Sequence, residues 1–196
     1  MERKADVSRE TKETKITVSL NIDGTGNYDI ATPVGFLSHM LEVFCKHGSF
    51  DMNLRAEGDT DVDQHHLIED CGIVLGQAFD RALTERRGIN RAGFFIYPMD
   101  DALSLAAVDL SGRSYLQYEA RFERQYCGNM DTSLFRDFLH AFSVHTRANI
   151  VVRVIWGRND HHKAESAFKA LTKAMRTACE PDTRNPGYVP STKGVI

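Results

Sequence analysis

Two stretches of this chain hold side chains whose types and spacing suit metal chemistry. DVDQHHLIED (61–70) carries His65, His66 and Glu69, and GRNDHHKAESAF (157–168) carries His161, His162 and Glu165. Each HHxxE follows a polar loop and opens a run with helical spacing. On a helix, positions i and i+4 share a face, while i+1 points about 100° away. His65 and Glu69 therefore face together and His66 diverges. His161 and Glu165 likewise face together and His162 diverges. Two such motifs opposed across a pseudo-twofold axis could complete two metal sites. Each site would take a His/Glu pair from one helix and the lone histidine from the other. A fourth donor is still needed. His39 suits one site, and its second-half counterpart is Asp137 by register or His140 one turn on. Imidazole and carboxylate without thiolate suit Mn, Fe or Zn, and sites left open to substrate suit catalysis. His47 and His145 read as capping or surface histidines.

The composition bounds the classes of function. The chain has 196 residues, 42% hydrophobic and 26% charged, the mix of a soluble globular protein. A net charge of −3 gives no support for a general nucleic-acid binder. No apolar run approaches membrane-spanning length. MERKADVSRETKETK lacks the apolar segment of a secretory signal, so a cytoplasmic protein is expected. Cys45, Cys71, Cys127 and Cys179 are scattered and read as buried free thiols of a reducing compartment.

The elements that must position these side chains come in two similar sets. KITVSLNIDGTGNYDIAT alternates around Asp23-Gly24 and reads as a hairpin. VGFLSHMLEVFCKHG is a helix stopped by Gly48, and DMNLRAEG is a strand. A second helix runs from about His66 to Arg86 and is closed by Gly88. The order then recurs. FFIYPM, ALSLAAVDL and SYLQYEARF are strands, TSLFRDFLHAFSVHTR a helix, NIVVRVIW a strand, and the second HHxxE opens a final helix. The tail PDTRNPGYVPSTKGVI is extended. His39 lies 12 residues before Asp51, as Asp137 lies 12 before Asn149. The expected fold is α+β, internally duplicated, with residues 1–92 and 93–196 as halves of one pseudo-twofold unit.

The motifs RETKET (9–14), GFLSHML (35–41), HHLIEDCGIVLG (65–76), PMDDAL (98–103), DLSGRSY (109–115), GRNDHHKAESAFKA (157–170) and PSTKG (190–194) resemble the imidazoleglycerol-phosphate dehydratases of histidine biosynthesis over nearly the whole length. The resemblance implies conversion of imidazole glycerol phosphate to imidazole acetol phosphate and a fold like the second domain of ribosomal protein S5. It also implies a homo-oligomeric 24-subunit shell of trimers, with sites between subunits and two manganese ions per site. One ion would take His39, His66, His161 and Glu165. The other would take His65, Glu69, His162 and Asp137. Glu13 would be the proton-transfer carboxylate beside the metal ligands. Arg91, Arg113, Lys169, Ser191, Thr192 and Lys193 would bind substrate phosphate. The proton to be lost has no neighbouring carbonyl to acidify it, so the chemistry needs Lewis acids at the ring.

This chain departs from the family pattern at four places. Ser38 stands where an aspartate precedes the ligand histidine, Val43 stands for glutamine, and Ser114 stands for proline. Asp137 occupies a histidine position. Asp100 and Asp101 of PMDDAL read as turn residues or as carboxylates behind the metal ligands. Two other readings remain: a metal-binding member without turnover, and a bimetal hydrolase of a phosphorylated compound.

Overall fold

The structure is a computed structural model that describes residues 3–194 and 196. β1 (Lys4–Glu10) and β2 (Thr14–Asn21) form an antiparallel hairpin. Ile16, Val18 and Leu20 of β2 turn inward, while Lys15, Thr17 and Ser19 face out, the period-2 pattern of a sheet with one wet face. β3 (Tyr28–Ala31), α1 (Gly35–Gly48), β4 (Asp51–Gly58) and α2 (His65–Leu83) complete the first half. The strand order is β1-β2-β4-β3, with β3 parallel to β4.

The hairpin read around Asp23-Gly24 does not form. β2 and β3 flank that turn, but β4 lies between them. The Asp51 carboxylate accepts the backbone N–H groups of Thr25 and Asn27 at 2.9 and 2.8 Å and carries the chain across the end of β4. Alternation marks a strand; it does not name the partner. α2 also ends earlier than Gly88, at Leu83, where Thr84 turns to φ 52°.

The second half repeats the first. β5 (Ala92–Met99), β6 (Ala102–Asp109), β7 (Tyr115–Glu119), α3 (Leu134–Thr146), β10 (Asn149–Gly157) and α4 (Asp160–Cys179) follow in the same sequence. The sheet order is β5-β6-β10-β7, with β7 parallel to β10. A short hairpin of β8 (Tyr126–Cys127) and β9 (Met130–Asp131) is inserted before α3.

The halves interlock through their helices: α1 packs against α4, and α2 against α3. The α2–α3 join depends on two glycines. A Cβ at Gly72 would meet the Phe138 carbonyl oxygen at 2.5 Å, and one at Gly76 would meet that of Phe142 at 2.9 Å. Phe44, Phe50, Phe79 and Phe142 meet edge-on or tilted within one continuous core. No described helix is long and apolar enough to cross a membrane.

Candidate metal and active site

Each helix pair gathers one His-x-x-x-Glu face and one side chain from the opposite half. In the α1/α4 pair, the Asn159 side chain accepts the His161 N–H at 2.9 Å and starts α4. His161 Nε2 then lies 3.2 Å from Glu165 Oε2, one turn on, and His39 Nε2 of α1 lies 3.8 Å from the same oxygen. One ligand atom from each of His39, His161 and Glu165 falls within 4.8 Å of the others. Glu165 is buried. Burial pushes its carboxyl pKa up, but Lys169, at 2.8 Å from Oε1, and then His39 and His161 hold it below the ordinary range.

The α2/α3 pair sets the counterpart residues together more loosely, with the two ring nitrogens of His65 facing different carboxylates. His65 Nε2 lies 3.7 Å from Glu69 Oε2, and His65 Nδ1 lies 3.6 Å from Asp137 Oδ2. Asp137 thus occupies the place in α3 that His39 occupies in α1. His140 is exposed.

The lone histidines do not join these groups within the chain. His66 Nδ1 lies 3.3 Å from both Asp59 carboxylate oxygens and 3.8 Å from Glu13 Oε2. Asp59, and then Glu13, raise its pKa above the ordinary histidine value. His162 Nδ1 bonds Asp101 Oδ1, and its Nε2 lies 3.7 Å from Asp100 Oδ2. Asp101 also accepts the N–H groups of Arg158 and Asn159 at 3.0 and 2.9 Å. The His162 bond, reinforced by those amides, holds the Asp101 carboxyl well below its usual range. Completion of both sites within one chain by opposed lone histidines is therefore not what the fold provides, because α2 and α4 pack against α3 and α1 rather than against each other.

Asp59 and Asp70 were not singled out from the sequence. Asp59 is one of several loop carboxylates before the first motif, and no spacing distinguishes it. Buried Asp70 accepts the Arg9 Nε–H at 2.9 Å and the Thr14 hydroxyl. Arg9 and Thr14 are the two ends of RETKET, so Asp70 ties the turn bearing Glu13 to α2. Ser38 does not orient His39. Its hydroxyl bonds the Thr32 hydroxyl at 3.0 Å and accepts the Thr32 N–H at 3.2 Å.

The phosphate candidates divide between two ends of the molecule. Lys169 sits midway along α4 against Glu165, Met99 and the Tyr97 ring. Arg91 (φ 66°) sits at the opposite end of β5, where its guanidinium grips Asp109 at 2.7 and 3.1 Å and bonds the Pro190 carbonyl. That bond docks the tail beside Ser191, Thr192 and Lys193. Arg113 follows β6 at this same end. Eight residues of β5 separate Arg91 from Met99 by about 26 Å.

Residues 32–175 match the model of the imidazoleglycerol-phosphate dehydratase family. The chain belongs to the imidazoleglycerol-phosphate dehydratases. It is 50% identical over 194 residues to the dehydratase of Koribacter versatilis, covering 99% of this chain and 100% of that protein. The Cereibacter sphaeroides enzyme is equally similar, with the same coverage. The fold is that of solved dehydratases. The Pyrococcus furiosus structure superposes with a TM-score of 0.84 at 36% identity, covering 97% of this chain and 100% of that one. The Staphylococcus aureus structure gives 0.80 at 33% identity, covering 90% and 99%. The dehydratases are hydro-lyases, and the chain is an enzyme of that class.

Proposed function

We propose that the chain converts D-erythro-imidazole glycerol phosphate to imidazole acetol phosphate and water in L-histidine biosynthesis, with two Mn²⁺ ions per active site. One observation carries the metal reading. His39, His161 and Glu165 each bring a ligand atom within 4.8 Å of the others; His65, Glu69 and Asp137 are their counterparts by register, with His65 between the two carboxylates. The donors fit such ions. All are imidazole nitrogen or carboxylate oxygen, and the four cysteines are free and buried. His66 of a second copy would complete the His39 group, and His162 of a second copy the Asp137 group. Bound ions would supply Lewis-acid stabilisation of negative charge on the substrate imidazole ring.

The remaining chemistry falls to this chain's own side chains. Hydroxide leaves the carbon bearing the ring, a proton leaves the next carbon, and the resulting enol becomes the ketone. Exposed Glu13, 3.8 Å from His66, is the carboxylate placed to carry that proton. Asp59 and Asp101 hold His66 and His162 in fixed orientation. Arg91, Arg113, Ser191, Thr192 and Lys193 supply fork-like and point donors to the phosphate. Lys169 neutralises Glu165 and offers a further cation from the metal end. A substrate of this size cannot span β5, so the two ends must come from different copies. A homo-oligomer, a 24-subunit shell of trimers, working in the cytosol fits that need.

The test is turnover of imidazole glycerol phosphate after chelator treatment and after reloading with Mn²⁺. Imidazole acetol phosphate should form only in the reloaded sample. Equal product in both samples would refute metal dependence, and inorganic phosphate as product would point to a hydrolase.

A further inference from the structure

We infer that the two metal positions differ in kind: the α1/α4 position takes the more nitrogen-loving ion, and the α2/α3 position keeps the harder one. The inference rests on the two-metal reading above and adds a selectivity to it.

The internal duplication provides the contrast. His39 in α1 and Asp137 in α3 occupy equivalent places, each 12 residues before its strand. One position therefore draws two imidazoles and one carboxylate from the chain. The other draws one imidazole and two carboxylates. The surroundings deepen the difference. Glu165 has a side chain only 10% exposed, and Lys169 binds its second oxygen at 2.8 Å, so this group is electrically balanced. At the place equivalent to Lys169, α2 has Ile73. Glu69 and Asp137, with side chains 43% and 33% exposed, leave two negative charges open to solvent.

Divalent ions respond to this contrast in a known order. Affinity at mixed N/O sites rises from Mn²⁺ toward Zn²⁺, and imidazole favours Zn²⁺ where paired carboxylates and water favour Mn²⁺. A lone histidine added to each position from a second copy leaves the difference intact. Zn²⁺ should therefore displace Mn²⁺ from the His39 position well before it displaces Mn²⁺ from the Asp137 position.

The experiment loads the oligomeric enzyme with Mn²⁺ and titrates it with Zn²⁺. It follows both metals by elemental analysis and locates them by anomalous scattering at each absorption edge. The first equivalent of Zn²⁺ should release one Mn²⁺ per chain and appear at His39, His161 and Glu165. Release of the second should need about tenfold more free Zn²⁺. In Asp137→His the two release steps should draw closer together. Simultaneous release in the unaltered enzyme, or first entry of Zn²⁺ at Asp137, would overturn the inference while leaving the two-metal reading standing. Failure to bind two Mn²⁺ per chain at the outset would overturn both.

Discussion

The two helix pairs behind the half-sites share a topology but join differently. α2 and α3 close on each other through Gly72 and Gly76, whose missing side chains admit the Phe138 and Phe142 carbonyls. At the equivalent places in α4 stand Phe168 and Thr172. Phe168 packs against the Phe135 and Phe138 rings, and Thr172 donates its hydroxyl to the Phe44 carbonyl at 2.6 Å. The α2–α3 join is a close backbone approach, whereas Thr172 of α4 reaches α1 by a side-chain hydrogen bond and Phe168 turns to the phenylalanine rings of α3. Both helix pairs nevertheless set a histidine and a glutamate opposite a third donor. The requirement retained through duplication is the placement of ligands, and more than one kind of packing meets it.

The outer sheet faces diverge further. Lys15, Thr17 and Ser19 of β2 and Asn53, Arg55 and Glu57 of β4 make the first a polar, solvated surface. The second sheet exposes Phe94, Ile96, Ile155 and Trp156. Isolated exposed apolar side chains are ordinary, but several on one sheet face mark a contact surface.

Phe168 carries the largest expected effect on stability. Phe168→Ala should open a cavity and cost about 3–5 kcal/mol, measured by denaturant unfolding. Gly72→Ala overpacks the glycine join and should cost about 1–3 kcal/mol. A neutral Gly72→Ala would mean that α3 can retreat, and the distinction between the joins would fail. On the sheets, Ile96→Asp should weaken self-association by about 2 kcal/mol, seen as smaller species in sedimentation. Ser19→Asp on the polar sheet should leave the sedimentation profile unchanged, and equal effects would erase the contrast between faces. The smallest effect concerns Asp70, which has Ser166 as its counterpart. Asp70→Asn should lower kcat about tenfold with bound metal and KM unchanged. Loss of metal instead would make Asp70 a support of Glu69 rather than of the Glu13 turn.

Much of this was legible in the sequence because periodicity reports burial. The helix bearing His39, the strand from Asp51, and the HHxxE helices follow from apolar spacing and turn residues. β1 was not, since Val7 is the one fully buried apolar side chain in its charged stretch. The crossing of β2 and β3 over β4 was hidden for a different reason. Strand pairing depends on long-range contacts such as Asp51 with Thr25 and Asn27, and alternation carries no trace of them. Within the site, the sharing of one face by His65 and Glu69 follows from helix geometry alone. The pairing of His39 with the second motif and of Asp137 with the first came from the family resemblance alone; spacing carries no trace of it, because it depends on how the helices interlock. Asp59 and Asp70 gave no local signal, because their partners lie in other elements.

The central claim is that a working site takes its α1/α4 half from one copy and its α2/α3 half from another. Co-expression of His161→Ala with His65→Ala tests it most directly. Each variant alone should lack activity, since each has lost a metal ligand in every site. Mixed assemblies should recover about a quarter of full activity, because random pairing rebuilds that share of intact sites. Mixed assemblies as inactive as the two parents would show that both halves of a site come from the same chain and would contradict the account.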